Sequence, residues 1–171
     1  FSAFAEGVSL YSAFAVLYSF QLRNLLKGIG QQMKWSVRDE SLHSKMGCKL
    51  FRHMCEEDNS LLSECREDII AAAETMVNLE EKYINKMFEM GDVEGIKSYD
   101  LKQFIKKRTN EKLVELGYVD LGSYFAYDTK AASNLDWFYH LTGGVTHTDF
   151  FATRPTDYSK AGEGEDFEDI W

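Results

Sequence analysis

With 171 residues, 44% hydrophobic and 14% aromatic, the chain has the size of one domain with a substantial core and is not a disordered protein. Its formal net charge of −9 argues against nucleic acid as a main partner. The apolar run over residues 1–20 is interrupted by Glu6 and follows no basic segment, so we expect neither a signal peptide nor a membrane span.

The first half of the chain predicts two long helices. Residues 2–27 have apolar side chains on all sides, which is typical of a central helix in a bundle. Residues 28–30 read Gly-Ile-Gly and predict a short turn. A second helix is predicted over residues 31–55, and the short connection makes the two helices antiparallel neighbours.

Two further helices are predicted over residues 61–90 and 99–116, with Gly91 and Gly117 ending them. The second of these contains the basic run Lys106-Lys107-Arg108, which we expect to form a solvent-exposed face. The single proline, Pro155, leaves these helical patterns uninterrupted.

The composition divides the chain into a helical bundle part over residues 1–154 and a C-terminal tail over 155–171. After Ala161 the sequence holds five acids, two glycines and no base, and it ends in Ile170-Trp171. We therefore predict an acidic, flexible tail. Three cysteines, an odd number in helix-like sequence, favour free thiols in a reducing cytoplasm.

A lone acid and a Glu-x-x-His pair are the strongest candidates for chemistry. Glu6 stands in an apolar run, where a carboxylate is costly unless it is paired or binds a cation. Glu40 and His43 are three residues apart and share a helix face. An acid and a Glu-x-x-His on neighbouring helices form half of a carboxylate-bridged dinuclear metal site.

In the predicted pair of antiparallel helices, Glu6 and Glu40 do not lie at the same distance from the turn. Glu6 lies about 22 residues before the turn and Glu40 about 11 after it, so a tilt or a helix distortion is needed. Leu10 and Phe14 follow Glu6 by four and eight residues and are expected to wall off the site, and Ser36 is expected to face the same pocket.

Mixed carboxylate and imidazole ligands suit iron or manganese. No second Glu-x-x-His occurs in the sequence, so the chain alone offers half a site. From the residues, three interpretations stay open: a redox subunit with a partner, a ferritin-like di-metal oxidase of another substrate, and a metal-free helical interaction protein. His53, His140 and His147 have no carboxylate at ligand spacing on a clear helix and are interpreted as structural, and Tyr11 and Tyr18 as core residues.

Several motifs resemble the small, radical-generating subunit of class I ribonucleotide reductase. The glutamates Glu6 and Glu40 are separated by 34 residues, as in that family. Two runs complete the resemblance: Arg38-Asp39-Glu40-Ser41-Leu42-His43 and Phe150-Phe151-Ala152-Thr153-Arg154-Pro155-Thr156-Asp157-Tyr158.

This resemblance implies an all-α, ferritin-like helical bundle, of which the chain would be the C-terminal half. It implies that Glu6, Glu40 and His43 bind a dinuclear iron or manganese/iron centre that reacts with oxygen. Asp39 and Tyr158 would then pass an oxidising equivalent to the large subunit, which reduces ribonucleotides to deoxyribonucleotides.

The resemblance also implies partners. Phe167, Ile170 and Trp171 would dock the large catalytic subunit, and two small subunits would form a cytoplasmic dimer. The chain begins at Phe1 within a helical pattern, so we expect a fragment or a naturally split subunit that needs an N-terminal half. A split subunit would bury an apolar interface, because Leu10, Phe14 and Tyr18 would otherwise be exposed.

Overall fold

The computed structural model describes residues 1–138. It begins with one helical rod in three parts: α1 (Ser2–Phe4), a π-helical segment (Ala5–Ser9) and α2 (Tyr11–Leu22). The chain turns at residues 23–26 and continues in α3 (Lys27–Glu57), which packs against the rod.

The remaining elements close a bundle around this rod. They are α4 (Leu61–Glu64), α5 (Arg66–Met87), α6 (Ser98–Glu115), a 3-10 turn (Val119–Leu121) and α7 (Thr129–Ser133). No strand occurs among residues 1–138, where Val93 and Ile96 form an isolated bridge. The prediction of an all-α, ferritin-like bundle is confirmed for this part of the chain, whereas its division from a tail at residue 155 lies outside it.

The turn between the first two long helices differs from the prediction. Residues 28–30 belong to the first turns of α3, and the reversal comes earlier, where Asn24 and Leu26 adopt left-handed backbone angles of φ 60° and 49°. A Cβ at Gly30 would collide with the side chain of Gln21, so this glycine allows close packing of the two helices. Its role is contact with α2 rather than chain reversal.

One of the two later helices ends at the predicted glycine. Gly117 follows the C-cap of α6 with φ 111°, whereas α5 already ends at Met87, and Gly91, with φ 119°, lies four residues beyond it. Such positive angles are favourable for glycine because it lacks a Cβ.

The π-helical segment lies at the centre of the bundle, where it contacts α3, α5 and α6. Val8, Tyr11 and Ala15 are fully buried there. The ring of Tyr11 packs edge-on against Phe14 and Phe138, with centroid distances of 5.8 and 6.2 Å. The core is thus aromatic around the segment that carries Glu6.

One expectation about exposure is wrong in part, and another is wrong. Of the three residues expected to be exposed without an N-terminal half, Leu10 is 38% exposed, whereas Phe14 and Tyr18 are buried in the chain's own core, each 9% exposed. The run Lys106-Lys107-Arg108 is not a solvated face: Arg108 is 6% exposed, and the two lysines form ion pairs with Glu81 and Asp136.

The stretch Ser2–Leu22 is long and apolar enough to span a membrane. Just over half of its most apolar part is buried inside the bundle, and a core helix of a soluble protein has the same length and composition. Its hydrophobicity is therefore weak evidence for a membrane segment.

Candidate metal site

Glu6, Glu40 and His43 meet at one place in the structure. One ligand atom from each of the three side chains lies within 4.8 Å of those of the other two. Glu40 Oε2 lies 3.6 Å from His43 Nδ1 on the same face of α3. The structure therefore brings together the three residues that the sequence pattern selects.

Because the turn lies earlier in the chain than predicted, Glu6 and Glu40 are at nearly equal distances from it along their helices. Glu6 lies 16 residues before the end of α2 at Leu22, and Glu40 lies 13 residues after the start of α3 at Lys27. The remaining difference of three residues corresponds to ~4.5 Å along a helix axis. The π-helical segment at Ala5–Ser9 is a distortion of the expected kind at the required place.

The π-helical segment also changes which side chains follow Glu6 on the same face. Its backbone hydrogen bonds span five residues instead of four. Accordingly Tyr11, five residues after Glu6, is fully buried, whereas Leu10, four residues after it, is 38% exposed. Phe14 is buried against the Tyr11 ring, and Ser36 is half-buried on α3.

Small residues let the Glu6 segment approach α3 closely. A Cβ at Gly7 would collide with Ser44 Oγ, and a Cβ at Gly47 would collide with the side chain of Ser2. The backbones therefore pack tightly here, which brings the side chain of Glu6 close to the candidate ligands Glu40 and His43 on α3.

Two residues beside the ligands were not identified from the sequence. The Ser2 hydroxyl donates a hydrogen bond to Glu6 Oε2, and Tyr11 Oη lies 2.7 Å from Ser41 Oγ in a buried contact. The serine four residues before Glu6 could have been noticed as a same-face neighbour. Tyr11 could not have been noticed in this way, because α-helical spacing places Leu10, four residues after Glu6, on the same face as Glu6.

The site is open on one side. The side chain of His43 is 57% exposed and that of Glu40 is 24% exposed. Asp39 lies on the exposed surface of α3. The three ligand groups are thus accessible from the α3 side while the segment carrying Glu6 is packed in the core.

A further carboxylate outside this group, Glu80 of α5, is buried against Ser12 of α2 with 4% of its surface exposed. Burial raises the pKa of Glu80 to about 7, although hydrogen bonds from the hydroxyls of Ser12 and Ser9 oppose the rise. Glu80 therefore retains its proton to near neutral pH and links α5 to the rod that carries Glu6.

Other predicted site residues lie outside the described residues. These are the radical-transfer candidate Tyr158 and the docking candidates Phe167, Ile170 and Trp171. Their assignments stay predictions.

Two carboxylates and one imidazole form a donor set that suits divalent iron or manganese better than a metal that prefers thiolates. Carboxylates can also bridge two cations, as in di-iron carboxylate bundles. The residues present thus fit part of a dinuclear centre.

Comparison with known proteins gives a consistent result. The sequence model of the family described as ribonucleotide reductase, small chain, matches residues 1–122. The chain is 34% identical over 163 residues to a probable ribonucleoside-diphosphate reductase small subunit of Invertebrate iridescent virus 3, covering 94% of this chain and 42% of that protein.

Two other relatives extend the likeness. A probable ribonucleoside-diphosphate reductase small subunit of Invertebrate iridescent virus 6 is 31% identical, with 100% of this chain and 53% of that protein covered. The ribonucleoside-diphosphate reductase subunit beta of Chlamydia pneumoniae is 28% identical, with 92% of this chain and 43% of that protein covered. The chain therefore spans about half the length of the curated relatives it matches.

Proposed function

The chain belongs to the ribonucleotide reductase small chain family, and from this premise we propose that it acts as a portion of the small subunit of ribonucleoside-diphosphate reductase. In this role Glu6, Glu40 and His43 provide part of the ligand set of a dinuclear iron or manganese/iron centre. The observation that carries the proposal is the convergence of these three ligand groups within 4.8 Å.

The remaining ligands would come from an N-terminal half of the small subunit. A complete site in a di-metal carboxylate bundle uses a second acid and a second Glu-x-x-His. The 171 residues contain one Glu-x-x-His, and the matched relatives are about twice as long. We propose that this half closes the exposed side of the site, next to His43.

When bound, the metal centre would supply the reaction with oxygen and a one-electron oxidising equivalent. The chain's own residues prepare its site. Ser2 holds the Glu6 carboxylate by donating a hydrogen bond, and the buried rings of Tyr11 and Phe14 keep water from the core side. Precise orientation of ligands by such neighbours is a general requirement of metal sites.

Export of the oxidising equivalent is assigned to Asp39 and Tyr158. Asp39 precedes the ligand Glu40 on the surface of α3, and Tyr158 precedes the acidic C-terminal end. Phe167, Ile170 and Trp171 would dock the large subunit, which reduces ribonucleoside diphosphates. We place the assembly, with its dimer of small subunits, in the cytoplasm.

The test is reconstitution of the chain with an N-terminal half and the large subunit, followed by measurement of deoxyribonucleotide formation. Glu40→Ala should lower the rate by more than the roughly 10–100-fold that loss of a ligand's hydrogen-bonding partner costs. His53→Ala is the matched control, because His53 also lies on α3 beside a carboxylate, Glu56, at 3.4 Å. Full activity of Glu40→Ala would contradict the proposal.

A further inference from the structure

Arg108 of α6 is buried at the base of the segment that carries Glu6. It is 6% exposed, and an arginine at such depth is costly without partners. Its Nε donates a hydrogen bond to the backbone carbonyl of Gly7, 101 residues earlier in the chain. Its guanidinium carbon lies 3.4 Å from the centre of the Tyr11 ring.

Both contacts reach residues that adjoin the candidate ligands. Gly7 follows Glu6 directly within the π-helical segment. Tyr11 lies just after that segment, and its hydroxyl contacts Ser41, which follows Glu40 directly. Arg108 therefore contacts the rod that carries Glu6 directly, and it is connected to α3, which carries Glu40, through Tyr11 and Ser41.

π-Helical turns are rare and occur mostly as single turns within α-helices, frequently at functional sites. A buried carbonyl that accepts a hydrogen bond from a fixed side chain loses that bond if it rotates away. The backbone next to Glu6 is thus held by α6 as well as by its own helix.

We propose that Arg108 is a positioning residue for the metal site: it holds the Gly7 carbonyl and the Tyr11 ring so that the π-helical segment directs Glu6 toward Glu40 and His43. This inference rests on the proposed metal-binding function. Arginine suits the role because a planar guanidinium stacks on a ring while its Nε donates in the same plane. A lysine ammonium has no planar group with which to make both contacts in this way.

The test compares the full 171-residue chain with Arg108→Met and Arg108→Lys, using two measurements. Hydrogen exchange without metal reports the opening of residues 5–11, and electron paramagnetic resonance of added Mn²⁺ reports metal affinity. Arg66→Met is the matched control, because Arg66 also lies over a tyrosine, Tyr118, at 5.7 Å, and pairs with Asp120 far from the ligands.

We expect Arg108→Met to speed exchange in residues 5–11 and to weaken Mn²⁺ binding about tenfold, within the range for loss of a neighbour that orients a metal ligand. Arg108→Lys should give smaller changes of the same kind, and Arg66→Met should give neither. If Arg108→Met does not fold, the lysine variant carries the test with the same two measurements.

Two results would overturn the proposal. One is wild-type exchange and Mn²⁺ affinity in the folded Arg108 variants. The other is faster exchange spread evenly over α3, α5 and α6, which would indicate a general core role. If the wild-type chain binds no Mn²⁺ but exchange in residues 5–11 responds selectively to Arg108→Met, the metal-binding function fails while the structural link from Arg108 to that segment stands.

Discussion

Tyr11 Oη lies 2.7 Å from Ser41 Oγ, and this buried contact joins the rod that carries Glu6 to the helix that carries Glu40. Both residues are near neighbours of candidate ligands, Ser41 directly and Tyr11 by way of the π-helical segment. A buried polar contact thus contributes to the relative position of the two helices that carry the candidate ligands.

Tyr11→Phe should destabilise the chain by ~1–3 kcal/mol, because it leaves the Ser41 hydroxyl buried without this partner while the ring packing is retained. Urea unfolding of the variant gives the change in the free energy of unfolding. Tyr83→Phe is the matched control, since Tyr83 is 46% exposed and should change stability little. Equal stability of the two variants would argue against a role for the Tyr11–Ser41 contact.

Gly7→Ala should destabilise the bundle by about 1–3 kcal/mol, because the added methyl collides with Ser44 Oγ and approaches Lys112. The same change at Gly28, the second residue of α3, where no atom lies within 4 Å of the new Cβ, should stabilise the helix by less than the roughly 1 kcal/mol gained in a helix interior. Thermal unfolding of both variants measures these changes in stability, which should have opposite signs. A stabilising Gly7→Ala would show that α3 and the π-helical segment are not in close contact.

The stability of the chain should depend on pH through Glu80. Its pKa is about 7 in the folded chain because of burial, and 4.5 is its ordinary value. Between these values the folded state keeps a proton that the unfolded state has lost. The free energy of unfolding therefore falls as pH rises through this window, by up to ~3 kcal/mol from this group.

Glu80→Gln removes this dependence, because an amide does not ionise. The difference in the free energy of unfolding between Glu80→Gln and the wild-type chain should therefore increase in favour of the variant from about pH 5 to about pH 8. Urea unfolding across this range measures it. A difference that is independent of pH would show that Glu80 ionises at the same pH in both states.

Tyr158→Phe should keep the metal but abolish deoxyribonucleotide formation in the assembly with the N-terminal half and the large subunit, because phenylalanine cannot form a neutral phenoxyl-type radical. Metal content and product formation are measured on the same sample. Tyr124→Phe is a control. The Tyr124 hydroxyl donates a hydrogen bond of 2.6 Å to Glu74, which is not one of the candidate ligands. Full activity of Tyr158→Phe would contradict its assigned role.

The candidate ligands and two glycines that follow helices could be predicted from the sequence because their signals are local. Glu6 is recognisable as an acid in an apolar run, and Glu40 and His43 by their spacing on one helix. Gly91 and Gly117 take the positive φ angles that glycine favours after a helix. Each signal needs only a few neighbouring residues.

The rest depends on contacts between distant parts of the chain. Residues 28–30 resemble a turn, but the reversal uses Asn24 and Leu26, and a leucine carries no signal for left-handed backbone angles. Arg108 belongs to a basic run that is typical of an exposed face, yet its partners Gly7 and Tyr11 lie about 100 residues away. The π-helical segment likewise could not be predicted, and because of it Tyr11, rather than Leu10, is buried in the core after Glu6.

Mn²⁺ binding is the most direct test of the account, because electron paramagnetic resonance distinguishes free from bound ion without redox chemistry. The wild-type chain should show a saturable site that His43→Ala and Glu6→Ala both weaken strongly. His53→Ala, which disrupts an exposed histidine–carboxylate pair on the same helix, should bind as the wild type does. Equal Mn²⁺ affinity in all four proteins would contradict the claim that Glu6, Glu40 and His43 form a metal site.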